Sequence, residues 1–173
     1  MINIKIRQER LEDYKGVYNL IEKTFKEAEH TDGNEQNLVE SLRKSDAFVP
    51  ELSLVAEMGK ELVGHILFTE AKIGKNTVLV LAPVSVLPKY QKNGIGGRLI
   101  EEGHRIAREL GYPGVVLLGH PTYYPKFGYK SSINYRIKAP FEVPEEYFMA
   151  IELKDGSLKG IEGTLEFPKE FGI

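Results

Sequence analysis

Apolar and polar residues alternate with period two from the first positions, so residues 2–7, INIKIR, read as a half-buried strand. The period then changes. In residues 10–30, RLEDYKGVYNLIEKTFKEAEH, the side chains Tyr14, Val17, Tyr18, Ile21 and Phe25 fall on one face at helical spacing. TDGNE at 31–35 breaks that pattern, and Leu38, Val39 and Leu42 predict a second, shorter helix over 34–45. LSLVAEMGKELVGHILFTEA at 52–71 reads as two strands joined at Gly59-Lys60, a hairpin. Residues 77–87, TVLVLAPVSVL, are apolar on both faces and predict a central strand of a covered sheet. Pro83 lacks a ladder donor, which predicts a bulge or a break in pairing there. A helix follows, with Leu99, Ile100, Ile106, Ala107 and Leu110 expected on its buried side and Gly111 as its stop. His104 falls to its charged, solvated side. GVVLLG at 114–119 is a second buried strand, and 120–129, HPTYYPKFGY, a short helix or turn returning to a strand. Residues 130–173 are less regular, with strand candidates at 147–153 and 160–167. The order β-α-α-β-β-β-α-β-α-β-β predicts an α/β chain, a mixed α+β sheet with helices on its faces. No linker or repeat interrupts it, so residues 1–173 are expected to form a single domain.

Composition narrows the chemistry. At 173 residues an ordinary core suffices without metal or disulfide, since about 70% of the unfolded surface can be buried. The absence of cysteine excludes thiolate catalysis and cysteine-ligated metals. The longest apolar run, 78–84, is far short of the roughly 18–20 residues of a membrane span, and the N-terminus lacks a signal-peptide core. A soluble, cytoplasmic protein without a membrane partner is expected. A formal net charge of −2, with no basic run, argues against nucleic-acid binding. The 4 histidines are scattered without ligand spacing, so no metal site is expected.

Gly94, Gly96 and Gly97 stand where a helix has to begin, at a cost of about 1 kcal/mol each relative to alanine. A strand, a glycine loop and a helix make an anion site: first-turn N–H groups lack partners, the helix dipole adds positive charge, and glycines let a phosphate approach. The amides from Asn93 to Arg98 would then cradle a phosphate or diphosphate. The Walker pattern fails because Arg98 and Leu99 follow Gly97, and the dinucleotide fingerprint fails because Leu99 stands where its third glycine belongs. The pattern Q/R-x-x-G-x-G/A fits Gln91, Gly94 and Gly96. Alone it describes a tight strand-to-helix turn equally well.

One strand further on, Tyr124, Gly128 and Tyr129 form Y-x-x-x-G-Y. The two motifs, in this order and on these elements, resemble the GNAT superfamily of acetyl-CoA-dependent N-acetyltransferases. The resemblance runs from the first strand to about Tyr129. It is nearest to a bacterial branch of small acetyltransferases through residues 54–68 (LVAEMGKELVGHILF), 79–100 (LVLAPVSVLPKYQKNGIGGRLI) and 117–129 (LLGHPTYYPKFGY). It implies a GNAT fold, a central mixed, mostly antiparallel twisted sheet with helices on both faces and strands splayed at the cofactor cleft. The cofactor-binding core would span about 77–129, and a variable acceptor-side segment about 130–173. Acetyl-CoA would be the co-substrate. Its diphosphate would lie on Gln91, Lys92, Asn93, Gly94, Ile95 and Gly96, continuing to Gly97 and Arg98. Its pantetheine arm would pair with the backbone of Val84, Ser85 and Val86. The Val86 amide would meet the thioester oxygen as its charge grows. Tyr124 would touch the coenzyme and act as general acid toward the departing sulfur; its alternative role is to pack the short helix. Three positions depart from the pattern: Gln91 stands where Arg is commoner, Tyr129 where Phe is usual, and His120 where the nearer branch carries Asp. The last leaves open which side chain lines that part of the cleft.

Amine attack needs a neutral nucleophile, yet alkylammonium groups have a pKa near about 10.4, so a base or water chain must take up a proton. Glu70, at the end of the second hairpin strand, and His120 are the candidates. His65 reads as a core or sheet-surface histidine. His30 belongs to an acidic loop at 26–35 that could draw in a cationic amine, or is a solvated helix connection. The expected reaction moves acetyl to a primary amine, on a small molecule or on a protein terminus or lysine. The competing function is a degenerate coenzyme A-binding sensor or interaction module, and a longer acyl group is a third reading. Residues 11–45 and 130–173 would shape the acceptor site. Sequence leaves the acceptor open, and the oligomeric state too, a homodimer included.

Overall fold

The computed structural model describes residues 3–26 and 33–173. The opening alternation forms β1 (Lys5–Gln8), and the amphipathic stretches form α1 (Tyr14–Phe25) and α2 (Glu35–Arg43). The hairpin is β2 (Phe48–Met58) and β3 (Glu61–Ile73), turned at Gly59 with φ of 63°. β4 (Asn76–Val86) leads into α3 (Ile95–Glu109), then β5 (Gly114–Leu118). The irregular tail supplies β6 (Lys130–Ser131), β7 (Ile137–Lys138), β8 (Phe148–Glu152) and β9 (Gly163–Glu166). The two-residue strands carry too little pattern to be read from sequence. No α-helix follows β5: Pro125 and Gly128, at φ of 101°, confine that stretch to a 3₁₀ turn over Tyr124–Phe127.

Among the described residues the sheet runs β1-β2-β3-β4-β5-β8-β6, with β9 on β3 and β7 on β9. Every pairing is antiparallel except β4–β5 and β7–β9. Two irregularities shape the C-terminal end of β4. Ile66 pairs with Val84 but Phe68 pairs with Leu81, so Ala82 and Pro83 together oppose Leu67, and the expected bulge lies at the proline. β4 and β5 share register only at Leu79–Val115 and Val80–Val116. Beyond those pairs Leu117 and Leu118 stay with β8, while Val84 to Val86 stay with β3. The two strands therefore part, as the resemblance implies, and leave one backbone edge of β4 open.

Successive β3 residues point to opposite faces. On one face, a methyl group at Gly64 would stand 3.1 Å from Leu99 of α3, and at Gly103 it would overlap the Phe68 ring. Only glycine lets α3 lie this close. On the other face, buried His65 meets Ser53 at 3.1 Å, Ser53 donates to Glu9 at 2.8 Å, and Glu9 accepts from Arg43 of α2 at 2.5 Å. Farther along that face Ala71, Ile73, Val80 and Phe148 pack under Ile137, Leu158 and Leu165 of the tail.

Two helix expectations are corrected. His104 is not solvated: it is 3% exposed, on the buried stripe with Ile100, Gly103 and Ala107. Leu110 is 43% exposed, because the helix has ended and Gly111, at φ of 90°, turns the chain away. No described helix is long and apolar enough to cross a membrane.

Candidate active site

The loop between β4 and α3 braces itself. Gln91 donates its side-chain N–H to the Val86 carbonyl at 2.9 Å, and Asn93 donates to the carbonyls of Tyr90 and Gln91 at 3.1 and 3.2 Å. Lys92 and Gly94 take positive φ, 66° and 79°, which only glycine adopts without strain. The first α3 backbone bond runs from Arg98 to Gly94 at 3.1 Å, and no side chain caps the helix. The amides of Ile95, Gly96 and Gly97 are thus without an intrahelical acceptor. Crowding gives the last two glycines a second reason. Methyl groups there would stand 2.9 Å from the Tyr123 hydroxyl and 2.9 Å from the Phe127 ring.

These groups line a cavity of about 780 Å³, into which Val86, Gln91 and the turn Gly94 to Arg98 face, with Tyr123, Lys126 and Phe127 opposite. Val84 and Val86 direct their methyl groups toward Gly96, while Ser85 points to the other face, beside its cross-strand partner His65. Ser85 is fully buried and its hydroxyl has no partner among the described residues.

Tyr124 does not line this cavity. Its ring lies so close to Gly119 that a Cβ there would overlap it, and it meets the rings of Tyr123 and Tyr129 edge-on at 5.0 and 5.8 Å. Burial, with a smaller effect from Tyr123, pushes its phenol up to about 12. Tyr129 is buried and shares a 2.7 Å hydrogen bond with His104, whose imidazole is held at about 4 by burial and then by Arg108. Sequence reading misses this pair, although the spacing of His104 from Ile100 and Ala107 is its signal.

The two candidate bases separate. His120 is exposed just past Gly119, with Nδ1 accepting from the Thr122 amide at 3.4 Å and 2.8 Å from the Thr122 hydroxyl. Glu70 is not brought to the cleft. It pairs with Leu79, at the closed end of the β4–β5 gap, and accepts from the Tyr112 hydroxyl at 2.5 Å. That contact, with burial as the larger cause, pushes the Tyr112 phenol well above its ordinary value. His65 is a core histidine, held at about 4 mainly by burial. His30 and most of the acidic loop lie outside the described residues. Among the described residues no three potential ligand side chains gather to hold a metal.

The family described as acetyltransferase (GNAT) matches residues 14–129. The chain is 41% identical over 118 residues to the Escherichia coli protein named uncharacterized N-acetyltransferase YjhQ, a match spanning 65% of each. To the one named uncharacterized N-acetyltransferase YhbS, from the same organism, it is 30% identical over 169 residues, 96% of this chain and 97% of that one. In three dimensions it follows the E. coli YhbS complex with CoA at a TM-score of 0.90 and 27% identity, over 100% of this chain and 94% of that one. It also follows a Brucella melitensis GNAT family acetyltransferase in complex with acetyl-CoA, at 0.82 and 32% identity over 99% of both. With a family match over most of its length, and relatives that share its sequence and its fold from end to end, the chain belongs to the GNAT family of acetyltransferases.

Proposed function

We propose that this acyltransferase moves the acetyl group of its co-substrate, acetyl-CoA, to a primary amine by direct attack in a ternary complex. One observation carries the reading: the open edge of β4 at Val84 to Val86 adjoins the uncapped start of α3, across one cavity. An extended arm can pair with the strand while a diphosphate meets the helix amides. The Val86 amide then donates to the thioester oxygen as the carbonyl becomes tetrahedral, where charge develops and water is scarce.

Tyr124 is the proton donor in this scheme. A phenol at about 12 stays protonated at every working pH, so the donor is always loaded. Full transfer to a thiolate with a pKa near about 8.5 is uphill, so the hydroxyl serves chiefly by hydrogen bonding sulfur as its charge grows. His120, exposed just past β5, is the candidate for proton uptake. Accepting at Nδ1 puts the ring proton on Nε2, so the ring must change tautomer, with Nδ1–H donating to the Thr122 hydroxyl, before Nε2 can act as a base.

The competing reading, a coenzyme-binding module without turnover, is favoured by one observation: the Tyr124 hydroxyl does not line the cavity. Release of free thiol from acetyl-CoA, measured across a panel of amines, separates the two. Turnover with any amine supports the enzyme. Calorimetric binding of coenzyme A with no thiol release across small amines, peptide termini and lysines would select the module.

A further inference from the structure

The cavity at the start of α3 has two walls, and only one belongs to the glycine loop. The other is the 3₁₀ turn after β5, with the residue before it. There the Tyr123 hydroxyl lies over Gly96, 2.9 Å from where a methyl group would be, and it has no hydrogen-bond partner among the described residues. Lys126 is exposed and its ammonium stands 4.5 Å above the Tyr123 ring, an attraction that favours its position beside the cavity. Among the described residues it has no carboxylate within ion-pair distance, and neither has Lys92 or Arg98 on the loop side. Arg98 is tied by one N–H to the Ile4 carbonyl at 3.2 Å. A single acid, Glu101, shares the lining. In a chain of formal net charge −2, this cavity therefore holds three uncompensated cations against one carboxylate.

The helix amides supply only about half an elementary charge, and from one side. An anion with two phosphoryl groups held there still faces the opposite wall. We propose that Lys126 and Tyr123 form a second wall of the diphosphate site, Lys126 giving the charge and the Tyr123 hydroxyl a hydrogen bond. The assignment rests on the reading that the coenzyme occupies this cavity. It divides the tyrosine pair: Tyr123 serves the diphosphate, and Tyr124 the sulfur.

Lys126→Met, Lys126→Arg and Tyr123→Phe are titrated calorimetrically with coenzyme A, dephospho-coenzyme A and pantetheine at low salt, with thermal melting to confirm folding. Lys126→Met should weaken both phosphorylated ligands roughly tenfold and alike, leaving pantetheine unchanged. Lys126→Arg should restore most of the affinity, and added salt should narrow the difference. Tyr123→Phe should show the same ligand pattern with a smaller loss, about threefold. An unchanged coenzyme affinity in Lys126→Met overturns the proposal. So does a loss seen with coenzyme A but not with its dephospho form, which would move the lysine to the 3′-phosphate, and so does an equal loss with pantetheine. Tyr123→Phe without effect removes the tyrosine from the wall. Failure of the underlying reading looks different, because the wild-type protein would then bind none of the three ligands.

Discussion

The two faces of β3 and β4 use polar groups in opposite ways. On the face away from α3, buried Glu9, Ser53 and His65 and the nearly buried side chain of Arg43 bond to one another, while Nδ1 of His65 and the hydroxyl of Ser85 have no partner among the described residues. On the α3 side, the first-turn helix amides have no intrahelical acceptor, and among the described residues Lys126 has no carboxylate and the Tyr123 hydroxyl no hydrogen-bond partner around a cavity. A closed network ties α2 to the sheet and can be judged by stability. Open groups lower stability slightly and acquire a use only when something binds. Mutations on the two faces should therefore separate into two kinds of defect.

The largest expected effect is on the open face. Tyr124→Phe should lower kcat by about 10²–10⁴, the range of a general acid, with coenzyme affinity and melting temperature little changed. Full turnover with an unaltered pH profile would leave Tyr124 a packing residue against Gly119. On the closed face, Arg43→Met leaves the Glu9 carboxylate buried without its partner and should cost about 3–5 kcal/mol in urea unfolding. Coenzyme binding by the folded fraction should stay as in wild type. A cost below about 1 kcal/mol would mean that the network is not closed in solution.

Acidification tests both faces at once, because His65 and His104 lie on opposite sides of the sheet and both are held at about 4 against an ordinary 6.5. Above pH 6.5 neither state binds the extra proton, and these groups contribute nothing. As pH falls from 6.5 toward 4 the unfolded chain takes up protons that the folded chain refuses, so stability falls, by a few kcal/mol on the order of magnitude. Unfolding curves between those limits should show it, and replacing His65 and His104 by uncharged residues should flatten that part of the pH dependence. A slope that persists in the double variant would assign it to other groups. The smallest effect is expected at Gly94→Ala. There the left-handed backbone should cost about 1–2 kcal/mol, with weaker coenzyme binding than wild type. Equal binding would detach the loop conformation from the ligand.

Much of the site is legible in the sequence because its demands are local. Positive φ at Gly94, the missing donor of Pro83 and the order of strand, loop and helix are set by a few adjacent residues. Contacts across the fold are not. His104 reads as solvated because its neighbours in sequence are charged, while its stripe on α3 faces Phe68 and Tyr129. Glu70 reads as a strand-end carboxylate, yet the register of β3 against β4 carries it to the closed end of the gap. Tyr123 and Tyr124 are adjacent in sequence and alike in chemistry. Only packing against Gly96 on one side and Gly119 on the other brings one ring to the cavity and keeps the other out of its lining.

By itself the sequence determined which of the longer segments are helix or strand, that a helix begins in a glycine loop after a strand, and which family such a loop and tyrosine motif resemble. Those properties come from periodicity, backbone sterics and near neighbours. Tertiary structure alone decided which polar groups are spent and which stay free, since that depends on register and on approaches between residues far apart in the chain. Whether a polar group meets a partner is decided only when the sheet closes and brings distant residues together.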